Sequence, residues 1–223
     1  MIGKLIVFEG VEGGGKTTQI QLLRNWLLEK KQSSKLFSKF IDIDLEVIVT
    51  REPGGTKLGQ ALRELLLNTD ISGEQIQEKA ELLLYAADRS QHIEKLVKPY
   101  LEKGAIVLCD RFTDSTIAYQ GYGRGLDLDL IQKLNHIATG GLKSDLTFWL
   151  DIDVKIGLTR AKNRGKIDRM EQADIQFHQR VQQGYQELAK NNPSIVRIDA
   201  NLTTDKIQEQ IQEVLMKKLI EWA

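Results

Sequence analysis

The stretch GVEGGGKT, residues 10–17, follows the apolar run KLIVFE (4–9) and precedes TQIQLLRNWLLEKK, in which Ile20, Leu23 and Leu27 recur at helical spacing. A strand, a glycine-rich turn and a helix in that order constrain the fold more than any other feature of the chain. Gly10, Gly15, Lys16 and Thr17 match the pattern G-x-x-x-x-G-K-[ST]. The backbone from Gly10 through Val11, Glu12, Gly13 and Gly14 to Thr18 can then curl so that successive N–H groups converge on polyphosphate at a helix N-terminus. Lys16 can span the β- and γ-phosphates, and Thr17 offers a hydroxyl to Mg²⁺. The alternative, a glycine-rich turn with a surface lysine, is weakened by the flanking strand and helix. ATP or GTP is the expected ligand; the chain has no NKxD-type guanine-reading segment, so ATP is favoured. Glu12 is out of character, since it puts an acid into a phosphate cradle; by itself it reads as a solvent-facing loop residue.

Four further runs, LEVIVT (45–50), AIVLCD (105–110), DLTFWLDI (145–152) and SIVRID (194–199), are continuously apolar rather than alternating. Continuity suits strands buried on both faces of a parallel sheet. Helical stretches lie between them, and the last, TDKIQEQIQEVLMKKLIEW, carries Ile207, Ile211, Leu215 and Leu219 at steps of four. The expectation is an α/β fold: a five-stranded parallel sheet with helices on both faces and ligands beyond the carboxyl ends of the strands. At 223 residues the chain is read as a single domain, 1–223. Its formal charge is zero, which gives no global basic field and argues against a nucleic-acid partner, so any anion site must be local. The N-terminus MIGKLIVFEG has neither a secretory nor a membrane-spanning pattern, and a soluble cytoplasmic protein with no membrane contact is the default. Cys109 stands alone in an apolar setting and reads as a buried structural thiol; His92, His136 and His178 lack paired spacing for zinc. KKQSSKLFSKFIDID (30–44) is basic and serine-rich and reads as a surface insertion. RAKNRGKIDRMEQ (160–172), where Gly165 interrupts a helical pattern amid charges, reads as a mobile lid or as a solvated face.

Four more stretches accompany the phosphate loop: TREPGGT (50–56), LLLYAADR (82–89), DRFTDSTIAYQGYGRG (110–125) and RAKNRGKIDR (160–169). In this order the set resembles thymidylate kinase over nearly the whole chain, and TREPGGT and DR...S..AYQG are not shared by phosphate-loop enzymes in general. The resemblance implies the phosphate-loop nucleoside monophosphate kinase fold with a short lid, ATP-dependent phosphorylation of dTMP to dTDP, Mg²⁺, and a homodimer.

The residues give that resemblance a physical content. The acceptor phosphate is already an ionised nucleophile at neutral pH, so positioning and charge neutralisation replace a general base. Arg111 matches the arginine that holds the acceptor phosphate, and Arg51 and Pro53 lie at the end of the second strand near the same pocket; the alternative for both arginines is a surface ion pair. Asp110 could orient Mg²⁺ together with Thr17. Tyr85 and Arg89, four apart on a helix, share a face. The resemblance sets Tyr85 against thymine and Arg89 at a thymine carbonyl, whereas the spacing alone favours a core tyrosine with an exposed arginine. Ser115, Thr116 and Gln120 match base-lining positions, and Tyr119 matches a tyrosine packed where a ribose 2′-hydroxyl would sit. In the lid, Arg164, and after it Arg169, matches the arginine that meets the transferring phosphoryl group; Arg160 better matches an adenine-stacking position. Gly13 stands where another branch of the family carries an arginine in the loop, and the resemblance puts Glu12 near the 3′-hydroxyl of dTMP. Two competing functions remain: a nucleotide-dependent regulatory switch, and a kinase for a different nucleoside monophosphate.

Overall fold

The computed structural model describes residues 3–33, 46–68, 75–165 and 168–222. Strands β1 (Lys4–Glu9), β2 (Val47–Arg51), β3 (Ile106–Asp110), β4 (Leu146–Asp151) and β5 (Ile195–Asp199) form one sheet in the order β2-β3-β1-β4-β5, with every pairing parallel. All five expected runs are strands. Their continuous apolarity has the anticipated cause: along β1, Ile6 and Phe8 enter one apolar cluster while Leu5 and Val7 enter another on the opposite face. Complete burial of such a side chain contributes about 1.5–3 kcal/mol relative to leaving it exposed, so the central strands anchor both layers.

Helix α1 (Lys16–Ser33) leaves the phosphate loop and lies against α9 (Thr204–Trp222) on one face of the sheet. It takes in the first positions of the predicted 30–44 insertion; the remainder of that insertion lies outside the described residues. Helix α2 (Lys57–Leu67) is capped by Thr56, whose hydroxyl accepts from the Gly59 amide. Helix α3 (Glu78–His92) widens through a π-helical turn at Ile93–Val97 into α4 (Lys98–Glu102). The short α5 (Thr113–Thr116) opens likewise into a π-helical segment, Ile117–Gly123, which buries Tyr119 and Gln120. Asp127, Asp153 and Asp174 cap α6 (Leu128–Thr139), α7 (Val154–Asn163) and α8 (Ile175–Asn191), each carboxylate accepting from first-turn amides as N-cap residues do. Among the described residues no helix is long and apolar enough to cross a membrane.

The phosphate loop is held against α7 backbone to backbone. Gly13 has φ +71°, and a Cβ there would lie 2.0 Å from the Gly157 carbonyl oxygen; a Cβ on Gly157 would lie 2.4 Å from the Glu12 carbonyl oxygen. Neither position admits a side chain while the two segments stay in contact. Gly157→Ala is expected to destabilise the fold by about 1–3 kcal/mol, as overpacking does, and to lower Tm by several degrees in a calorimetric scan. An unchanged Tm would show that the loop and α7 separate freely.

Candidate active site

A cleft of about 880 Å³ opens at the carboxyl ends of the strands. All the site residues predicted from sequence line it except Gly10, Val11 and Arg169. On its donor side the Lys16 ammonium curls back over its own loop and donates to the Gly10 and Val11 carbonyls, 3.0 Å each. Burial, aided by Arg111, brings its pKa down to about 8. Thr17 Oγ1 donates to Asp110 Oδ2 at 3.0 Å, placing a hydroxyl and a carboxylate together where β3 ends beside α1. Hard oxygen donors of this kind suit Mg²⁺, which keeps several waters and shares its remaining positions with phosphate oxygens.

Facing the loop is Arg111, the residue after β3. Its φ of +70° is left-handed, a conformation that costs a non-glycine residue roughly 1–2 kcal/mol. Its backbone amide is fixed by the Phe8 carbonyl at 2.9 Å. Its guanidinium lies over the loop: Nη1 is 3.0 Å from the Gly10 carbonyl, 3.2 Å from Ser115 Oγ and 3.3 Å from Tyr185 Oη, and Nη2 donates to Glu12 Oε1 at 3.0 Å. The cation also lies 4.8 Å from the Tyr119 ring centroid, and the Tyr119 hydroxyl donates to Glu12 Oε1 at 2.7 Å. Burial opposes the charge on Glu12. Arg111, His178, Lys16 and Tyr119 outweigh it and hold the carboxyl well below the usual range, so Glu12 is an anion at neutral pH.

Glu9, which closes β1, has no role in the sequence reading. Its carboxylate accepts from the Phe112 amide at 2.8 Å, the Ser115 amide at 3.1 Å and the Tyr185 hydroxyl at 2.8 Å. It therefore fixes the turn that aims Arg111. Burial, the largest influence, pushes its pKa up against Arg111 and these donors. An acid closing an otherwise apolar central strand was the signal that could have found it.

On the opposite wall, Tyr85 is half-buried at the cleft while Arg89 is buried, which reverses the core-tyrosine, exposed-arginine alternative. All three Arg89 nitrogens are engaged: Nε with Glu52 Oε2 at 2.7 Å, Nη1 with Asn135 Oδ1 at 2.7 Å and Nη2 with the Phe112 carbonyl at 3.0 Å. The second Glu52 oxygen lies 2.8 Å from His92 Nδ1, and His92 Nε2 lies 2.7 Å from Thr50 Oγ1. Arg89 therefore ties α3 to the TREPGGT loop. Asp88 adds a second tie, accepting from the Gly54 amide at 3.0 Å; burial and the nearby Glu52 raise its pKa to about 6. Gln120 Nε2 donates to Glu81 Oε1 at 2.8 Å. Burial, then Glu81, pushes the Tyr85 phenol far up, so its ring is neutral. Arg51 is exposed at the end of β2; beside it in the cleft wall is Arg63, a cation that sequence reasoning passed over, whose Nη1 donates to the Pro53 carbonyl at 3.0 Å.

The lid arginines, inseparable by sequence, differ in setting. Arg160 is exposed on α7 with Nη1 3.3 Å from the Ala200 carbonyl. Arg164, just past α7, lines the cleft and donates to Glu171 Oε1 at 2.6 Å. Arg169 is spent elsewhere: its guanidinium donates to Glu81 and, at 2.8 Å, to the Leu66 carbonyl, while its amide donates to the Leu67 carbonyl at 3.1 Å. It fastens the chain after the lid to α2 and α3. Residues 166–167 of the predicted lid lie outside the described residues.

The sequence model of the thymidylate kinase family matches residues 8–211. The chain belongs to that family. It is 75% identical over 222 residues to a thymidylate kinase of Trichodesmium erythraeum (strain IMS101), covering 100% of this chain and 99% of that protein. It is 57% identical over 217 residues to one of Nostoc punctiforme (strain ATCC 29133 / PCC 73102), covering 96% of each. Among solved structures, thymidylate kinase from Ehrlichia chaffeensis aligns with a TM-score of 0.73 at 34% identity, over 96% of this chain and 98% of that one.

Membership of the thymidylate kinase family does not by itself explain why Arg89 is so heavily bonded. The Glu52–Arg89 pair is buried on both sides, with side-chain exposures of 3% and 3%, so removing one partner strands the other charge. Arg89→Ala is expected to cost about 3–5 kcal/mol in urea unfolding, the penalty for breaking a buried ion pair. A loss below about 1 kcal/mol, the level of an exposed pair, would show that Arg89 has no structural duty.

Proposed function

We propose that ATP and dTMP occupy opposite ends of this cleft and that the γ-phosphoryl group of ATP passes in line to the dTMP phosphate, giving ADP and dTDP. The bond from the γ-phosphorus to the β,γ-bridging oxygen breaks as a bond to an acceptor phosphate oxygen forms. The observation that carries the reading is that a phosphate loop and an arginine-bearing acceptor wall converge in one cleft of a thymidylate kinase family member, with Arg111 bridging them through Gly10 and Glu12. The acceptor is already ionised, so the chain supplies position and positive charge rather than a base.

Each residue then has a task. The loop backbone and Lys16 hold the ATP phosphates, the Lys16 ammonium exchanging its two loop carbonyls for phosphate oxygens. Thr17 and Asp110 would hold Mg²⁺, which when bound neutralises phosphate charge. Arg111 and Arg51 grip the acceptor phosphate, while Tyr85, Ser115, Thr116 and Gln120 border thymine and Arg89, which also stiffens that wall, reaches a thymine carbonyl. Glu12 accepts from the 3′-hydroxyl of dTMP, and the buried ring of Tyr119 excludes a 2′-hydroxyl. Arg160 stacks on adenine beside Asn201 and Leu202. Arg164, on the lid at about 160–172, meets the transferring phosphoryl group, which sets the chain in the branch with an acid but no arginine in the loop. We further read residues 1–223 as one catalytic unit, cytoplasmic and homodimeric, with no nucleic-acid partner. Exposed Leu58 on α2, Leu83 on α3, and Leu128, Leu130 and Ile137 on α6 supply apolar surface on three neighbouring helices for a partner copy.

A coupled ADP-release assay with ATP and Mg²⁺ is expected to show dTMP turned over faster than AMP, dCMP or UMP; equal rates would defeat the substrate assignment. In the same assay Arg164→Ala should lower kcat by on the order of 10²-fold, the usual loss of one donor to transition-state charge. Arg169→Ala should instead lower Tm with a smaller change in kcat. The opposite pattern would exchange the two roles.

A further inference from the structure

His178, on α8, is fully buried, and among the described residues neither ring nitrogen has a hydrogen-bond partner. Its Nδ1 lies 3.4 Å from Glu12 Oε2. That oxygen is itself buried and, among the described residues, accepts no hydrogen bond, whereas Oε1 of the same carboxylate takes bonds from both Arg111 and Tyr119. Leaving a buried polar atom unsatisfied costs about 1–3 kcal/mol, and more for a charged group, so two orphaned atoms of complementary type facing each other are not a neutral arrangement. A shift of a few tenths of an ångström would turn the approach into a charge-assisted hydrogen bond.

The surroundings fix the ring for that contact. Phe177 packs edge-on to His178 at 5.3 Å, and the same Phe177 packs edge-on to Tyr119 at 6.1 Å. Phe177 therefore braces both Tyr119 and His178, two of the groups that surround the Glu12 carboxylate. We propose that His178 is a positioning residue of the reaction: its Nδ1 carries a proton and donates it to Glu12 Oε2, holding the carboxylate in the orientation that presents a lone pair to the sugar hydroxyl. His178 touches no substrate; it acts through Glu12. The substrate part of this inference rests on the proposed dTMP site, whereas the Nδ1–H···Oε2 bond does not.

Two measurements separate these parts. The chain has three histidines, so long-range ¹H–¹⁵N correlation spectra of the ¹⁵N-labelled protein, with His178→Asn for assignment, resolve the protonation of each ring nitrogen. The expected result is a proton on Nδ1 of His178; a bare Nδ1 overturns the proposal whatever the enzyme phosphorylates. In steady-state kinetics His178→Leu is expected to raise KM for dTMP about 10-fold, the equivalent of one lost hydrogen bond, with KM for ATP within about 2-fold of wild type. His178→Asn, whose side-chain amide nitrogen occupies the place of Nδ1, should restore most of the difference. With 3′-deoxy-dTMP as acceptor the effect of His178→Leu should disappear. Equal losses in Leu and Asn variants, or equal effects on dTMP and its 3′-deoxy analogue, overturn the positioning role. Wild-type protein that fails to turn over dTMP defeats the proposed function instead, and the nitrogen spectra still decide the hydrogen bond.

Discussion

The contact between Glu12 and Arg111 is the constraint on which the rest of the site depends. A carboxylate in a loop shaped for polyphosphate would repel its ligand and lose hydration as the cleft fills. Here it is neutralised before any ligand arrives, by a guanidinium 3.0 Å away that is itself anchored to the Gly10 carbonyl. Removing either partner would leave a charge uncompensated in a largely water-excluded place, which is far costlier than loss of a surface pair. The left-handed turn at Arg111 is tolerated because the Phe8 carbonyl holds its amide and Glu9 holds the next turn. Loop, third strand and eighth helix are thereby locked into one geometry.

The same device recurs around the cleft. Glu9, Glu52 and Glu81 are buried acids that bind no ligand in the proposed mechanism; each is consumed by backbone amides, by arginines or by neighbouring polar side chains that shape a wall. Glu81 draws in Arg124 as well as Arg169, at 3.5 Å from the former. The acids counterbalance the cations of the structural frame and leave Lys16, Arg51, Arg63 and Arg164 facing the cleft. A chain of zero formal charge can in this way keep cations available at one local site, which is why overall composition excluded a basic surface without excluding an anion-binding one.

The legible parts of the molecule were those encoded locally. Burial on both faces leaves an unbroken apolar run, so the strands could be read within two residues of their ends, and the phosphate loop declared itself through its glycines and flanks. What escaped was pairing across the chain. Nothing near Arg89 announces that Glu52, Asn135 and Phe112 will engage all three of its nitrogens, and nothing near Arg169 announces Glu81. His178 was considered only as a metal ligand and set aside for want of a paired spacing, yet the group it faces is a carboxylate at the other end of the sequence. The π-helical widening at Ile117–Gly123, which carries Tyr119 and Gln120, shares its apolar pattern with an ordinary helix and leaves no separate trace.

The acid in the loop and the arginines in the lid can be understood as two sides of one packing decision. Because Gly13 meets Gly157 backbone to backbone, the loop has no room for a side chain at that position, and a cation for the transferring group cannot come from there. The same close approach draws α7 over the loop, and α7 leads directly to Arg160 and Arg164 at the cleft. Under the proposed mechanism the contact that forbids an arginine in the loop also delivers one from the lid. It further separates the two ends of Glu12: its carbonyl is pinned beneath Gly157, while its carboxylate turns across to Arg111 and Tyr119. In that mechanism the loop serves ATP with its backbone and Lys16, while its one acidic side chain is turned toward the other substrate.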